Sequence, residues 1–191
     1  MTTGDLAAAL QRAETVLRRR PEMGRHDDAP ATARWHGTTR CVVSHGNGTQ
    51  IATDMPAELG GSGDLITPGW LFRAGLAACA TTSIVLAAAA RGIELTSLEV
   101  HVGSRSDTRG LLGMSDADGA PVPAAPRDVR LSVRIAAPGV ARERLVALVE
   151  DGCRCSPIPN AVQQATPLAV EVEVDADVAV AAAAPADAGV H

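Results

Sequence analysis

The sequence predicts an α+β fold, and three observations carry that reading. Strand-like alternation is grouped before and after one long apolar segment and does not alternate one-for-one with helices. That segment, residues 69–92, follows a Thr67-Pro68 helix start and runs to Gly92. The chain has 191 residues, 46% hydrophobic and 20% charged, which suits one core of ordinary domain size.

Each element follows in order. Residues 5–20 place Leu6, Leu10, Ala13 and Leu17 at helical spacing, with Asp5 as the expected cap and Pro21 as the stop. Residues 21–30 are polar and read as a linker, so residues 1–30 form an N-terminal helix and linker. From Ala31 the pattern is extended. Residues 31–45 and 49–55 are expected as two strands around the turn-forming run His45-Gly46-Asn47-Gly48. The stretch 56–68, punctuated by glycine and proline, reads as a loop. In the central helix Phe72, Leu76, Cys79, Ser83 and Leu86 recur at spacings of four, three, four and three, with alanine on nearly every other side. A helix apolar all round is a buried helix.

Residues 95–105 alternate as a strand, and 106–127 are expected as a long hairpin excursion. Residues 128–136 form a second clear strand, with Val129, Leu131, Val133 and Ile135 on one face. An amphipathic helix is expected at 140–152, then a turn and short helix over 153–165, then a last strand at 168–178. The Ala/Pro-rich stretch 176–191 reads as a disordered tail. The domain so bounded spans 31–175.

Composition excludes several functions. All 17 basic side chains are arginine, against 22 acids, for a net charge of -5. Without lysine there is no Schiff base and no P-loop. An acidic chain whose only aromatics are Trp35, Trp70 and Phe72 is not expected to bind nucleic acid. No run of eighteen or more apolar residues predicts a membrane helix, and the first twenty residues lack a signal-peptide core. A cytoplasmic protein without a membrane partner is expected.

Four cysteines in such a chain read as reactive thiols or as small core residues, not as a disulfide framework. Cys79, in the third turn of the central helix, fits either reading. Cys153 and Cys155 sit at the junction after another helix. A thiolate away from water needs a cation, and arginine keeps its charge when buried. Arg40 is the first candidate and Arg34 the next. Arg73, six residues before Cys79, points about 240° around the helix from it. Cys79, Cys153 and Cys155 with His45 or His101 fit a zinc site poorly, because Cys-x-Cys spacing and a mid-helix ligand are awkward. No metal or cofactor is expected. Cys41 reads as a sheet-face residue.

The motifs PAELGG at 56–61, TPGWLFRAGLAACA at 67–80 and CSPIPNA at 155–161 resemble the OsmC/Ohr superfamily of thiol-dependent peroxidases, over roughly residues 31–175. The resemblance implies a strongly bent antiparallel sheet wrapped around a long buried central helix, in an intertwined homodimer with sites at the subunit interface. It implies Cys79 as the peroxidatic thiol, which attacks the O–O bond of an organic hydroperoxide and becomes a sulfenic acid. It further implies Cys155 or Cys153 as the resolving thiol, Arg40 as the active-site cation, and an apolar pocket of Trp70, Phe72, Leu76 and Ile158. An external dithiol would reduce the disulfide, and the role would be oxidative-stress defence.

The chain departs from the family pattern twice. The pattern has a cysteine directly before Pro-x-x-Asn-Ala, where this chain has Ser156. It also has a glutamate after the helix-starting proline, to hold the arginine; here that position is Gly69. No nearby carboxylate is expected to replace it, since Glu58 belongs to the loop motif and Asp64 lies several residues upstream. These departures leave open a non-catalytic OsmC-like protein that binds a small ligand or senses redox state.

Overall fold

The computed structural model describes residues 2–174, so the expected tail at 176–191 lies outside the described residues. Helix α1 (Thr3–Arg19) starts slightly earlier than its apolar spacing suggests. Thr2 is the cap: its hydroxyl accepts the Asp5 N–H, and the Asp5 carboxylate accepts the Thr2 N–H in return. The acid expected as the cap is therefore the far member of a capping box.

The first extended stretch is not one strand. Gly37 and Thr38 take φ of 89° and 46°, and the His36 N–H donates to the Arg40 carbonyl across the turn. Residues 31–45 therefore fold into a hairpin of β1 (Thr32–Trp35) and β2 (Cys41–Ser44). With β3 (Gln50–Thr53) they form a three-stranded antiparallel sheet in the order β1-β2-β3. A single glycine among β-forming residues gives little sequence signal for that turn.

Helix α2 (Pro68–Ala90) forms as its sequence directs. The Thr67 hydroxyl accepts the Trp70 N–H at 3.2 Å, and Pro68 occupies the first turn. At the far end Gly92 takes a left-handed φ of 63°, and the Ile93 N–H returns to the Ala88 carbonyl. Strands β4 (Ser97–Arg105) and β5 (Arg127–Ala136) form a second antiparallel sheet, in register from Ser97 opposite Ala136. Between them the excursion holds the short helix α3 (Thr108–Leu111) and an isolated bridge between Ser115 and Pro121. Helices α4 (Arg142–Arg154) and α5 (Pro157–Gln163) follow, so Cys153 lies in the last turn of α4 and Cys155 is its C-cap.

Residues 168–174 alternate as a strand should but pair with no other described residue, and the rest of the expected strand, 175–178, lies outside the described residues. Leu168 is 88% exposed and Val174 83%. Alternation supplies a face, while a strand also needs a neighbour for its N–H and C=O groups.

Helix α2 packs against α4, β4, α5 and α1. Its buried residues Leu76, Ala80, Ile84 and Ala88 recur every four positions and make one stripe. Ala78, Thr82, Val85 and Leu86 are exposed on another. The expectation of burial on all sides therefore fails within a single chain, because one layer of neighbours covers one side of a helix. With 23 residues, α2 is the one helix among the described residues long and apolar enough to cross a bilayer; its packing makes it the core helix of this fold.

The α2–α4 contact depends on a missing side chain. A Cβ added to Gly152 of α4 would lie 2.9 Å from both Cα and Cγ1 of Ile84, and both residues are buried. We expect Gly152→Ala to destabilise the protein by about 1–3 kcal/mol through overpacking, read as a lower urea midpoint. An unchanged midpoint would show that the two helices can separate there at no cost.

Candidate active site

The site begins with the way α5 starts. Pro157 supplies the first helical position, with its φ already fixed and no N–H to satisfy. The next N–H, on Ile158, has no carbonyl within the helix to bond. It points at Cys79 Sγ, 3.5 Å away. Ser156, the residue at the N-cap, normally turns its hydroxyl onto the first turn of its own helix. Here it makes no such cap bond and donates instead to Cys79 Sγ at 3.2 Å. Ser156 is fully buried, whereas Cys79 is half-buried. The third motif thus meets the middle one at a sulfur atom that receives two hydrogen bonds.

The expected resolving thiols sit differently. Cys153 lines a cleft of about 830 Å³ between α4, α5 and the face of β5, together with Leu76, Leu131, Val133 and Val162. Burial pushes its thiol above the ordinary range. Cys155 is exposed, and its backbone N–H closes α4 on the Asp151 carbonyl. Neither residue makes a hydrogen bond to Cys79; Ser156 does. In the first sheet, Cys41 faces Thr53, sulfur to hydroxyl at 3.1 Å.

Of the expected pocket residues, Ile158 comes to Cys79 from another helix. Besides its N–H, its side chain lies over Gly75, one turn earlier on α2: a Cβ on that glycine would meet Ile158 Cδ1 at 3.7 Å. Leu76 is buried and faces the Cys153 cleft. Phe72 is half-buried, and Trp70 is 48% exposed about 13 Å along the helix axis from Cys79.

Arg40 belongs to a second polar cluster. Its guanidinium donates to Asp64 at 2.9 Å and to Ser62 Oγ at 3.0 Å, and it pairs with Asp54 at 3.5 Å. The expectation that no carboxylate nearby in sequence would hold this arginine is therefore corrected. Asp64 reaches it because the PAELGG loop folds back onto the β1–β2 turn. Position 69 faces a different arginine: a Cβ on Gly69 would lie 3.7 Å from Arg73 Nη1, and Arg73 reaches Ser104 on β4.

Asp54 is the hub of that cluster. It is 2% exposed and accepts the Thr39 hydroxyl at 2.5 Å, the Ser62 hydroxyl at 2.6 Å, and the N–H groups of Met55 and Ser62 at 2.8 and 3.1 Å. These donors, the Ser62 hydroxyl foremost and then that of Thr39, hold its carboxyl far below the ordinary range. Asp64 is also lowered, first by Ser62 and then by the charge of Arg40. Among the described residues no group of three or more His, Cys, Asp and Glu side chains is arranged to hold a metal.

Two antiparallel sheets, a long core helix and a cysteine on that helix under the start of another define a small α+β protein. The chain belongs to the OsmC-like protein family, which matches residues 61–181. Its fold is similar to that of an OsmC-like protein from Mycoplasma pneumoniae, with a TM-score of 0.60 and 20% identity over 73% of this chain and 89% of that one. It is similar to an OsmC-like protein of unknown function from Vibrio cholerae O1 biovar eltor, with a TM-score of 0.57 and 14% identity over 72% and 95% of the two chains. It is also similar to an organic hydroperoxide resistance protein from Elizabethkingia anophelis with thiocyanate bound, with a TM-score of 0.53 and 23% identity over 73% and 90%. At these identities the likeness establishes the fold. No curated protein matches the chain.

Asp54 yields a pH prediction. A carboxyl whose folded pKa is depressed adds stability above its unfolded value, near 3.8, and that stability is lost as pH falls below it. Melting temperature should therefore fall as pH drops through about 4 and below. Asp54→Asn should start less stable at neutral pH and show a flatter acid limb. Parallel acid limbs would mean that Asp54 is already protonated in the folded protein.

Proposed function

We propose that this protein is a thiol-dependent peroxidase of organic hydroperoxides, with Cys79 as the reacting thiol. The carrying observation is the sulfur that accepts both the Ser156 hydroxyl and the Ile158 N–H. A core cysteine has no use for two polar donors, one of them taken from a helix cap. A sulfur that must carry negative charge and then bond to oxygen does use them. The thiolate attacks one oxygen of the O–O bond, the other oxygen leaves as the alcohol after gaining a proton, and Cys79 becomes a sulfenic acid. Ile158, 41% exposed beside the sulfur, gives the substrate an apolar contact, which favours alkyl or lipid hydroperoxides over hydrogen peroxide. Membership of the OsmC-like family and a structural relative named for organic hydroperoxide resistance support the same reading.

The working unit in this proposal is a homodimer. One stripe of α2 and the alternating segment 168–174 expose apolar side chains that a second copy can cover. Arg40, whose side chain is 40% exposed and oriented by Asp64, is the cation offered to the thiol at such an interface. The four cysteines are all free, in keeping with a reducing cytoplasm.

Cys79→Ser should reduce cumene hydroperoxide consumption to the uncatalysed rate with the circular dichroism spectrum unchanged; full turnover would show the thiol to be a packing residue. Arg40→Ala should slow oxidation of Cys79 by at least about tenfold, as loss of one stabilising group at a reacting centre does. An unchanged rate in stopped flow would remove Arg40 from the reaction. Sedimentation should give twice the 19.5 kDa chain mass, and Val85→Arg should shift the protein toward monomer. A monomeric wild type would sink the dimer.

A further inference from the structure

We infer that Cys79 works by a one-cysteine cycle closed by a low-molecular-weight monothiol, with Ser156 occupying the place opposite its sulfur from which an internal thiol would act. The inference rests on the peroxidase reading of Cys79 and names the reductant of that site.

Three observations carry it. The atom 3.2 Å from Cys79 Sγ is a hydroxyl oxygen, and a hydroxyl cannot form a disulfide. Ser156 is fully buried and gives up the cap of α5 to make this contact, so the serine is fixed where it is. The two thiols closest in sequence are turned elsewhere. Cys153 is packed into the cleft beside Leu131 and Val162, and Cys155 is exposed at the C-cap of α4. Both are held by backbone bonds, from Cys155 N–H to Asp151 O and from Ser156 N–H to Cys153 O, and Pro157 fixes the chain just beyond them. As the chain is folded, the hydrogen bonds to Cys79 Sγ come from Ser156 and Ile158 and from neither of these thiols. The Cys153 thiol, pushed up by burial, is also a scarce thiolate and so a slow attacker. Cys79 is half-buried and the Ile158 beside its sulfur is 41% exposed, so a small thiol needs less room to approach than a protein partner does.

The steps balance as follows. Hydroperoxide converts the Cys79 thiolate to a sulfenic acid, breaking the O–O bond and releasing alcohol. The thiolate of a first monothiol attacks Cys79 Sγ, so an S–S bond forms, the S–O bond breaks, and hydroxide leaves as water after taking a proton. Ser156, which donates to the sulfur, is placed to donate to that departing oxygen. A second monothiol attacks the outer sulfur of the mixed disulfide, which frees the Cys79 thiolate and releases the symmetrical disulfide. In sum, one hydroperoxide and two monothiols give one alcohol, one water and one disulfide.

The test uses the wild-type full chain, one equivalent of cumene hydroperoxide, and glutathione as the monothiol probe. Dimedone trapping first reads the sulfenic acid; no label on Cys79 overturns the peroxidase reading and this inference with it. With the label established, peptide mapping without added thiol should find no disulfide from Cys79 to Cys153 or Cys155, and added glutathione should give one mixed disulfide at Cys79. A Cys79–Cys153 or Cys79–Cys155 link overturns the inference while leaving the peroxidase reading intact, and so does sulfinic acid at Cys79 in the presence of glutathione. In Ser156→Cys the same oxidation should give an internal disulfide between positions 79 and 156 and suppress the glutathione adduct, because the bond needs only a small approach from 3.2 Å to about 2.05 Å.

Discussion

The close approach of α4 to α2 is the constraint on which the site depends. Ile84 and Gly152 meet where any larger residue on α4 would collide, and both are buried. Four residues beyond Gly152 the chain turns at Ser156 and starts α5, and that turn comes to rest on Cys79, five residues before Ile84. The spacing on the two elements matches because each moves about one helical turn away from the shared contact. Leu148 anchors the other side of the pair against Ala88 and Ile93, with Ile135 and Leu145 packed around them. The geometry at the sulfur is thus set by core packing, while the residues touching it add chemistry to a position already fixed.

Two polar systems divide the work around this core. One is the sulfur with its two donors at the α2–α5 junction. The other ties the loop before α2 to the β1–β2 turn through Asp54, Ser62, Asp64 and Arg40. Asp54 can be buried and charged because hydroxyls and N–H groups surround it. Its own N–H also donates to the Ile66 carbonyl, so the second system fixes how the chain enters α2 one residue before the Thr67 cap. A loop rich in glycine thereby becomes a rigid lead into the helix that carries the thiol. The guanidinium of Arg40 finds Asp64 across the same loop, while position 69 faces Arg73.

Much of this could be read in the chain directly. The limits of α2 follow from Thr67, Pro68 and Gly92, because caps and stops act within a few residues and need no tertiary context. Strands β4 and β5 and the apolar face of α4 follow from periodicity. The candidacy of Cys79 and the departure at Ser156 were both visible in the motifs at 67–80 and 155–161. Other features were not. The turn at Gly37-Thr38 hides among β-forming residues, and the pairing of Arg40 with Asp64 spans 24 residues through a loop whose path no local rule gives.

The sequence by itself determined the class of fold, the central helix with its cysteine, and the family to which the chain belongs, since these rest on local propensity and on residue order. The tertiary structure alone decided which group faces that cysteine. Cys153, Cys155 and Ser156 lie within four positions of one another; the family pattern marks position 156, but no local rule says which of the three side chains turns inward. The end of α4, the two prolines of α5 and the fit of Gly152 against Ile84 rotate Ser156 inward, Cys155 outward and Cys153 into a separate cleft. Side-chain direction at a helix end follows from the packing of the whole helix, and that packing is a property of contacts distant in sequence.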